Sequence, residues 1–172
     1  IPDTDGIFTS VYLRDPGAVP QLVSRPTGSA PVVTRMSTGN TGFEPWSRSL
    51  SADGRYLVFQ TRSPAITGVA AEAMQIVRRD LLTGESLVVS RATGASGALA
   101  NDHAYDASIS ADGNRIVFAS GSDNLDPADT DGDNDIFVRD VSAATTTLAS
   151  RASGTGGAAA DSDAYLPAIA QD

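Results

Sequence analysis

The chain repeats itself. Ser51-Ala52-Asp53-Gly54 returns as Ser110-Ala111-Asp112-Gly113, 59 positions later, and Val89-Ser90-Arg91-Ala92-Thr93-Gly94 returns as Ala149-Ser150-Arg151-Ala152-Ser153-Gly154, 60 positions later. Arg79-Asp80 and Tyr105 find counterparts in Arg139-Asp140 and Tyr165, and an earlier copy stands at Arg14-Asp15 and Val23-Ser24-Arg25-Pro26-Thr27-Gly28. A period of this length marks a supersecondary unit that buries its apolar face only against a neighbouring unit. Each unit reads as four short strands. In the last full unit these are residues 107–110, closed by an Asp112-Gly113 turn, then 115–119, 135–141 and 145–151. Asp-Gly favours two-residue hairpins, and Ile136-Phe137-Val138 is rich in strand formers. A short turn at 142–144 has its equivalent in Leu82-Thr83-Gly84-Glu85. No segment carries an apolar stripe of helical period, so little or no helix is expected. An apolar fraction of 41% with 16 Gly and 9 Pro suits short strands and tight turns.

Four-stranded antiparallel units repeated along a chain predict an all-β fold of consecutive β-propeller blades. A β-helix needs much shorter repeats, and a sandwich needs none. The runs Ile109-Ser110-Ala111-Asp112-Gly113 and Ile116-Val117-Phe118-Ala119-Ser120 resemble the PD40, or TolB-like, WD40-like propeller repeat. Asn124-Leu125, Asp129-Thr130-Asp131-Gly132 and Asp135-Ile136-Phe137-Val138-Arg139-Asp140 carry that likeness through the unit. It is weaker in the middle unit, where residues 64–73 replace the Asp-rich loop. The resemblance implies a propeller of six or so blades, exported, and serving as a binding scaffold.

On this reading residues 1–172 form one propeller segment: 1–46 a partial blade with an inserted connection, 47–104 a blade, 105–164 a blade, and 165–172 the first strand of the next. The insertion, at 29–46, is seven residues longer than its counterpart. Residues 51–53, 110–112 and 170–172 are expected to be equivalent innermost strands. Asp3-Thr4-Asp5-Gly6 aligns with Asp129-Thr130-Asp131-Gly132, and Ala170-Gln171-Asp172 with Ser110-Ala111-Asp112. The terminal blade would then lack its second strand, so further chain or a second copy is expected to complete the ring.

The sharpest chemical signal is Asp129-Thr130-Asp131-Gly132-Asp133-Asn134-Asp135. Alternating carboxylates in a Gly-containing loop can turn several oxygens onto one hard cation, so Asp129, Asp131, Asp133 and Asp135 are candidate calcium ligands, with Asp3 and Asp5 a thinner version. The pattern departs from an EF-hand: Gly stands fourth rather than sixth, and no helices flank it. The competing reading is a solvated acidic turn whose Asp side chains accept from backbone N–H groups. The Arg-Asp steps recur in every unit and so belong to the architecture, as a strand-end hydrogen bond or a link between blades. His103, the sole histidine, has no Gly-x-Ser-x-Gly elbow to serve and reads as a surface residue. Asp102 and Asp163, and Tyr105 and Tyr165, recur where the chain approaches the first strand, on the same face as the Asp-rich loops. Trp46 is read as packing between blades or marking a binding surface.

A net charge of −9 disfavours nucleic acid and anionic membranes. The absence of cysteine excludes disulfides, thiol catalysis and Cys-based zinc sites. No run approaches the roughly 20 apolar residues of a membrane span. The expected function is a non-catalytic, exported, calcium-stabilised binding or scaffold propeller, extracellular or periplasmic, with a protein or other ligand on its channel face. The alternatives are the propeller portion of a larger hydrolase or peptidase, and a self-assembling surface or filament subunit.

Overall fold

A computed structural model describes residues 49–68, 73–154 and 156–170, with the backbone of 12–13, 21–22 and 36–37. The fold is all-β and antiparallel. Strands β1 (Tyr12–Leu13) and β2 (Gln21–Leu22) pair with each other. A four-stranded sheet follows in the order β3 (Met36–Ser37), β4 (Tyr56–Thr61), β5 (Gln75–Asp80), β6 (Ser86–Val88). A second is built in the same up-and-down order from β7 (Ala104–Ile109), β8 (Arg115–Ser120), β9 (Asp135–Asp140) and β10 (Thr145–Leu148). The one helix among the described residues, α1 (Pro64–Thr67), occupies the middle unit where the last unit has its Asp-rich loop. Pro64 presets its first turn, and Gly68 at φ 76 stops it by returning its N–H to the Pro64 carbonyl.

The sheets stack face to face because their central strands are apolar on both sides. Val58 and Ile76 of the first sheet meet Ile109, Ile116, Phe118, Phe137 and Leu148 of the second in one buried cluster. Leu57, Phe59, Val77 and Val88 fill a separate cluster on the opposite face of the first sheet, with Ile66 of α1. Phe118 and Phe137 are register partners with rings stacked at 5.8 Å. Burying each such side chain contributes about 1.5–3 kcal/mol. Polar contacts set the stagger of the sheets: Ala52 N–H donates to the Ala111 carbonyl at 2.9 Å, and Arg78 Nη1 to the Gly113 carbonyl at 2.8 Å.

The repeat survives down to single rungs. Met36↔Thr61, Ser37↔Gln60 and Leu50↔Leu57 correspond to Ala104↔Ser120, Tyr105↔Ala119 and Ile109↔Ile116. Between these rungs the second sheet has the bulge at residues 106–108, and the first sheet has residues 38–49, nine more. The inserted connection expected at 29–46, Trp46 included, lies outside the described residues apart from the backbone of 36–37. Asp106 adopts φ 52 at the bulge, and Leu166, sixty residues on, adopts φ 55.

Two expectations need correction. Residues 51–53 and 110–112 are turns, not strands. The Ser51 and Ser110 hydroxyls bond Asp53 and Asp112 and accept the N–H of Tyr56 and Arg115, which closes a turn completed by Gly54 at φ 71 and Gly113 at φ 72. The innermost strand of the second sheet accordingly begins earlier, at Ala104, and ends at Ile109. The fourth strand is also shorter than 145–151: it ends at Leu148, and Arg151 makes only an isolated bridge to Ala159.

Candidate cation site

Strand β8 ends at Ser120 and β9 opens at Asp135, so the connection between them carries the Asp-rich loop. Asp126 shapes its start, accepting the Ala128 N–H at 2.9 Å through Oδ1 and the Leu148 N–H at 2.8 Å through Oδ2. Two Asx turns follow. Asp129 Oδ1 accepts the Asp131 N–H at 3.4 Å, and Asp131 Oδ1 accepts the Asp133 N–H at 3.1 Å. Asp135 Oδ1 accepts the Ser150 hydroxyl. The capped-turn reading thus holds for Oδ1 of Asp129 and of Asp131, while Asp135 Oδ1 takes a hydroxyl instead.

The remaining oxygens set up the chemistry. One carboxylate oxygen each of Asp129, Asp131 and Asp135 lies within 4.8 Å of the others. Asp129 is 5% exposed and Asp135 1%, and the Oδ2 of each is buried with no hydrogen-bond partner. Burial, reinforced by the charges of Asp135 and Asp131, pushes the Asp129 carboxyl up to about 6 despite the N–H it accepts from Asp131. Burial likewise raises Asp135, opposed by its Ser150 hydrogen bond. A buried carboxylate oxygen without a donor is costly, and either a proton or a cation relieves it. An all-oxygen donor set suits calcium or magnesium rather than zinc, and these carboxylates supply three of the roughly 6–8 oxygens that calcium takes. Asp133 is exposed and is not among the converging groups. Asp3 and Asp5 lie outside the described residues.

The preceding sheet holds a useful comparison at the same position. Gln75, equivalent to Asp135, accepts the Ser90 hydroxyl on Oε1 at 2.8 Å and donates from Nε2 to the Ala100 carbonyl at 2.9 Å. The neutral amide fills both roles; the carboxylate of Asp135 fills only the first.

The recurrent Arg-Asp steps serve the architecture. Arg139 is buried and donates to the carbonyls of Ala92 and Gly94, both at 3.1 Å, and to the Thr146 hydroxyl at 3.1 Å, tying its sheet to the turn that leaves the preceding one. Arg79 is equally buried, with Nη1 on the Ser86 hydroxyl. Arg55 holds the Asp80 carboxyl down to about 2. The Ala143 N–H and the Ser142 hydroxyl hold Asp140 at about 2. His103 Nδ1 accepts the Met74 N–H at 3.1 Å, and Arg62 Nη2 lies 2.8 Å from Nε2. A neutral imidazole cannot accept at both nitrogens, so only one of these contacts is a hydrogen bond at a time.

Tyr105 and Tyr165 come together at 6.5 Å between ring centroids, and the Tyr165 hydroxyl donates to Asp163 Oδ2 at 2.7 Å. One residue that sequence reasoning passed over is Asn134. Its N–H and Nδ2 both bond Asp163 Oδ1, at 2.8 and 3.0 Å. At the 60-residue spacing of Tyr105 and Tyr165, Asn134 pairs with Met74, and Asp163 pairs with His103 rather than with Asp102 as expected; each pair joins through the same backbone N–H, and that superposition was the available signal.

No family model matches the chain, and no curated protein sequence matches it. Among solved structures, it is similar to that of a TolB candidate from Agrobacterium tumefaciens, at 15% identity and TM-score 0.48, over 86% of this chain and 41% of that one. It is also similar to TolB from Acinetobacter baumannii, at 15% identity and TM-score 0.39, over 76% of this chain and 23% of that one. The chain thus spans less than half the length of either.

Proposed function

We propose that the chain is a run of β-propeller blades acting as a non-catalytic binding scaffold, and that calcium stabilises it at Asp129, Asp131 and Asp135. The observation that carries the cation is the convergence of these carboxylates around two buried oxygens that no protein donor satisfies. Up-and-down four-stranded sheets, stacked in sequence with equivalent rungs, support the propeller. The recurrent charged residues support the scaffold role, since Arg139, Asp80 and Asp140 spend their hydrogen bonds on turns and on the neighbouring sheet.

The outer face of the second sheet carries Val117, Ile136 and Val138. The matching face of the first sheet, with Val58 and Ile76, is buried beneath its successor. A further repeat, from continuing chain or from a second copy, is the natural cover for that face. Export to the periplasm or cell exterior, where calcium is plentiful, fits this picture, and a protein ligand on the face bearing Tyr105 and Tyr165 completes it.

Titration of the chelated protein with calcium, followed by calorimetry and by thermal melting, tests the reading. Calcium at 100 times its Kd should add about 2.7 kcal/mol of stability by mass action. Asp131→Ala, at an exposed position, should remove most of that gain. No heat of binding and no shift in Tm would refute the cation site.

A further inference from the structure

The Asp-rich loop is fastened at both ends to the chain segments that lead into neighbouring repeats. At its start, Asn101 donates from its N–H to Asn124 Oδ1 at 3.2 Å and from Nδ2 to Asp123 Oδ1 at 2.7 Å, and Asn124 Nδ2 reaches the Leu99 carbonyl at 2.8 Å. These bonds hold the segment leading into β7. At its end, Asn134 takes hold of the segment beyond β10. Besides its two bonds to Asp163, its carbonyl accepts the Ala164 N–H at 2.6 Å and its Nδ2 reaches the Tyr165 hydroxyl at 3.3 Å. Asn134 adjoins Asp135. Ser150, which donates to Asp135, accepts the Ala160 N–H on its own carbonyl at 2.8 Å. Both ends of residues 160–165 therefore hang on groups adjoining or bonded to one carboxylate. Little apolar burial assists them: Asp161, Ser162 and Asp163 are exposed, and Tyr165 is 53% exposed. Segments held by few exposed hydrogen bonds are the first to open.

We propose that cation occupancy at Asp129, Asp131 and Asp135 controls the docking of residues 160–165, so that the ion acts as a clamp between repeats. The inference rests on the cation reading above and goes beyond stabilisation to say which segment the ion governs. Without the ion, three carboxylates repel, two of them buried. A shift of Asp135 toward water relieves that repulsion, and it displaces Asn134 and Ser150 with it.

The preceding repeat has the same clamp built without charge. Met74 donates its N–H to His103 and accepts the Ala104 N–H at 2.9 Å; Ser90 accepts the Ala100 N–H at 3.0 Å and donates to Gln75. There Gln75 supplies from Nε2 the donor that Asp135 lacks. One junction is self-sufficient and its copy depends on an ion.

Hydrogen exchange of the whole chain at pH 7.5, in calcium and in chelator, tests this with an internal control. Chelation should speed exchange at residues 160–165 by at least about tenfold, as expected for local opening, and leave residues 100–104 unchanged. Asp135→Gln, which copies the preceding repeat, should abolish calcium binding and protect residues 160–165 without calcium. Retained protection at 100–104 reports that the variant is folded. Calcium binding by calorimetry with exchange at 160–165 unaltered overturns the clamp alone, as does an Asp135→Gln variant that leaves this segment unprotected. No calcium binding overturns the cation reading and the clamp together.

Discussion

Replacing Asp129 by Asn should stabilise the cation-free protein, against the usual trend of point substitutions. Burial and the neighbouring carboxylates lift the Asp129 carboxyl from 3.8 to about 6. At about 1.4 kcal/mol per pKa unit, keeping it ionised at pH 7.5 costs the chelated fold about 3 kcal/mol. The direction follows from the raised pKa. The folded state binds the proton more tightly than the unfolded chain, so this group's stabilisation is complete below the unfolded value, about 3.9. It is lost as pH rises through about 6. Asn has the same shape, keeps an Oδ1 to accept the Asp131 N–H, and turns the orphaned oxygen into an amide donor facing the other carboxylates. In chelator at pH 7.5 the variant should exceed the parent by about 3 kcal/mol, or roughly 6–12 °C in Tm for a chain of this size. The gap should close on acidification toward pH 3.5, and in calcium the order should reverse, because only the parent gains from the ion. Urea unfolding at several pH values, in chelator and in calcium, measures all three. A chelated variant no more stable than the parent at pH 7.5, or a gap that ignores pH, would refute the reasoning.

Two further outcomes concern the stacking of the sheets. Arg139→Ala leaves the carbonyls of Ala92 and Gly94 and the Thr146 hydroxyl without their buried donor, and should cost about 3 kcal/mol in urea unfolding. Gly54→Ala and Gly113→Ala should differ although both sites have φ near 70. The first places its methyl in open space and should cost about 1–2 kcal/mol, the strain of a left-handed φ for an L-residue, whereas the second would bring Cβ to 2.2 Å from the Tyr56 ring and should lower Tm several times as far.

Much of this was legible in the residues because a repeat writes its hydrogen bonds twice. The Ser-Ala-Asp-Gly runs and the Val-Ser-Arg and Ala-Ser-Arg runs mark backbone groups satisfied in the same way in both sheets, and the Asp of each Arg-Asp step accepts the N–H three residues on. Reading Ser-Ala-Asp as strand rather than turn went wrong because the serine hydroxyl bends the chain by bonding two residues ahead and accepting from five ahead. The true start of β7 was hidden by the bulge at Asp106, which breaks the alternation that a strand shows in sequence. The Asp-rich loop announced itself, but which of its four carboxylates converge depends on two Asx turns that leave Asp133 outside. The contrast of Gln75 with Asp135 emerges only when the two copies are superposed.

The stacking of the sheets has a consequence for how such a chain can grow. Leu57, Phe59 and Val77 form the rear of one sheet and Ile116, Phe118 and Phe137 the rear of the next, while Val58 and Ile76 are answered in front by Val117 and Ile136. Each unit added covers one front and presents a new one of the same kind, so the contact is head-to-tail and nothing within it sets a final number. Termination has to come from geometry: a constant rotation per unit brings the last front onto the first rear, and a rotation that misses closure leaves an open filament. In any such stack the angle between successive sheets, set here by contacts such as Arg78 on Gly113 and Arg139 on Gly94, would be what separates a finite ring from an endless fibre.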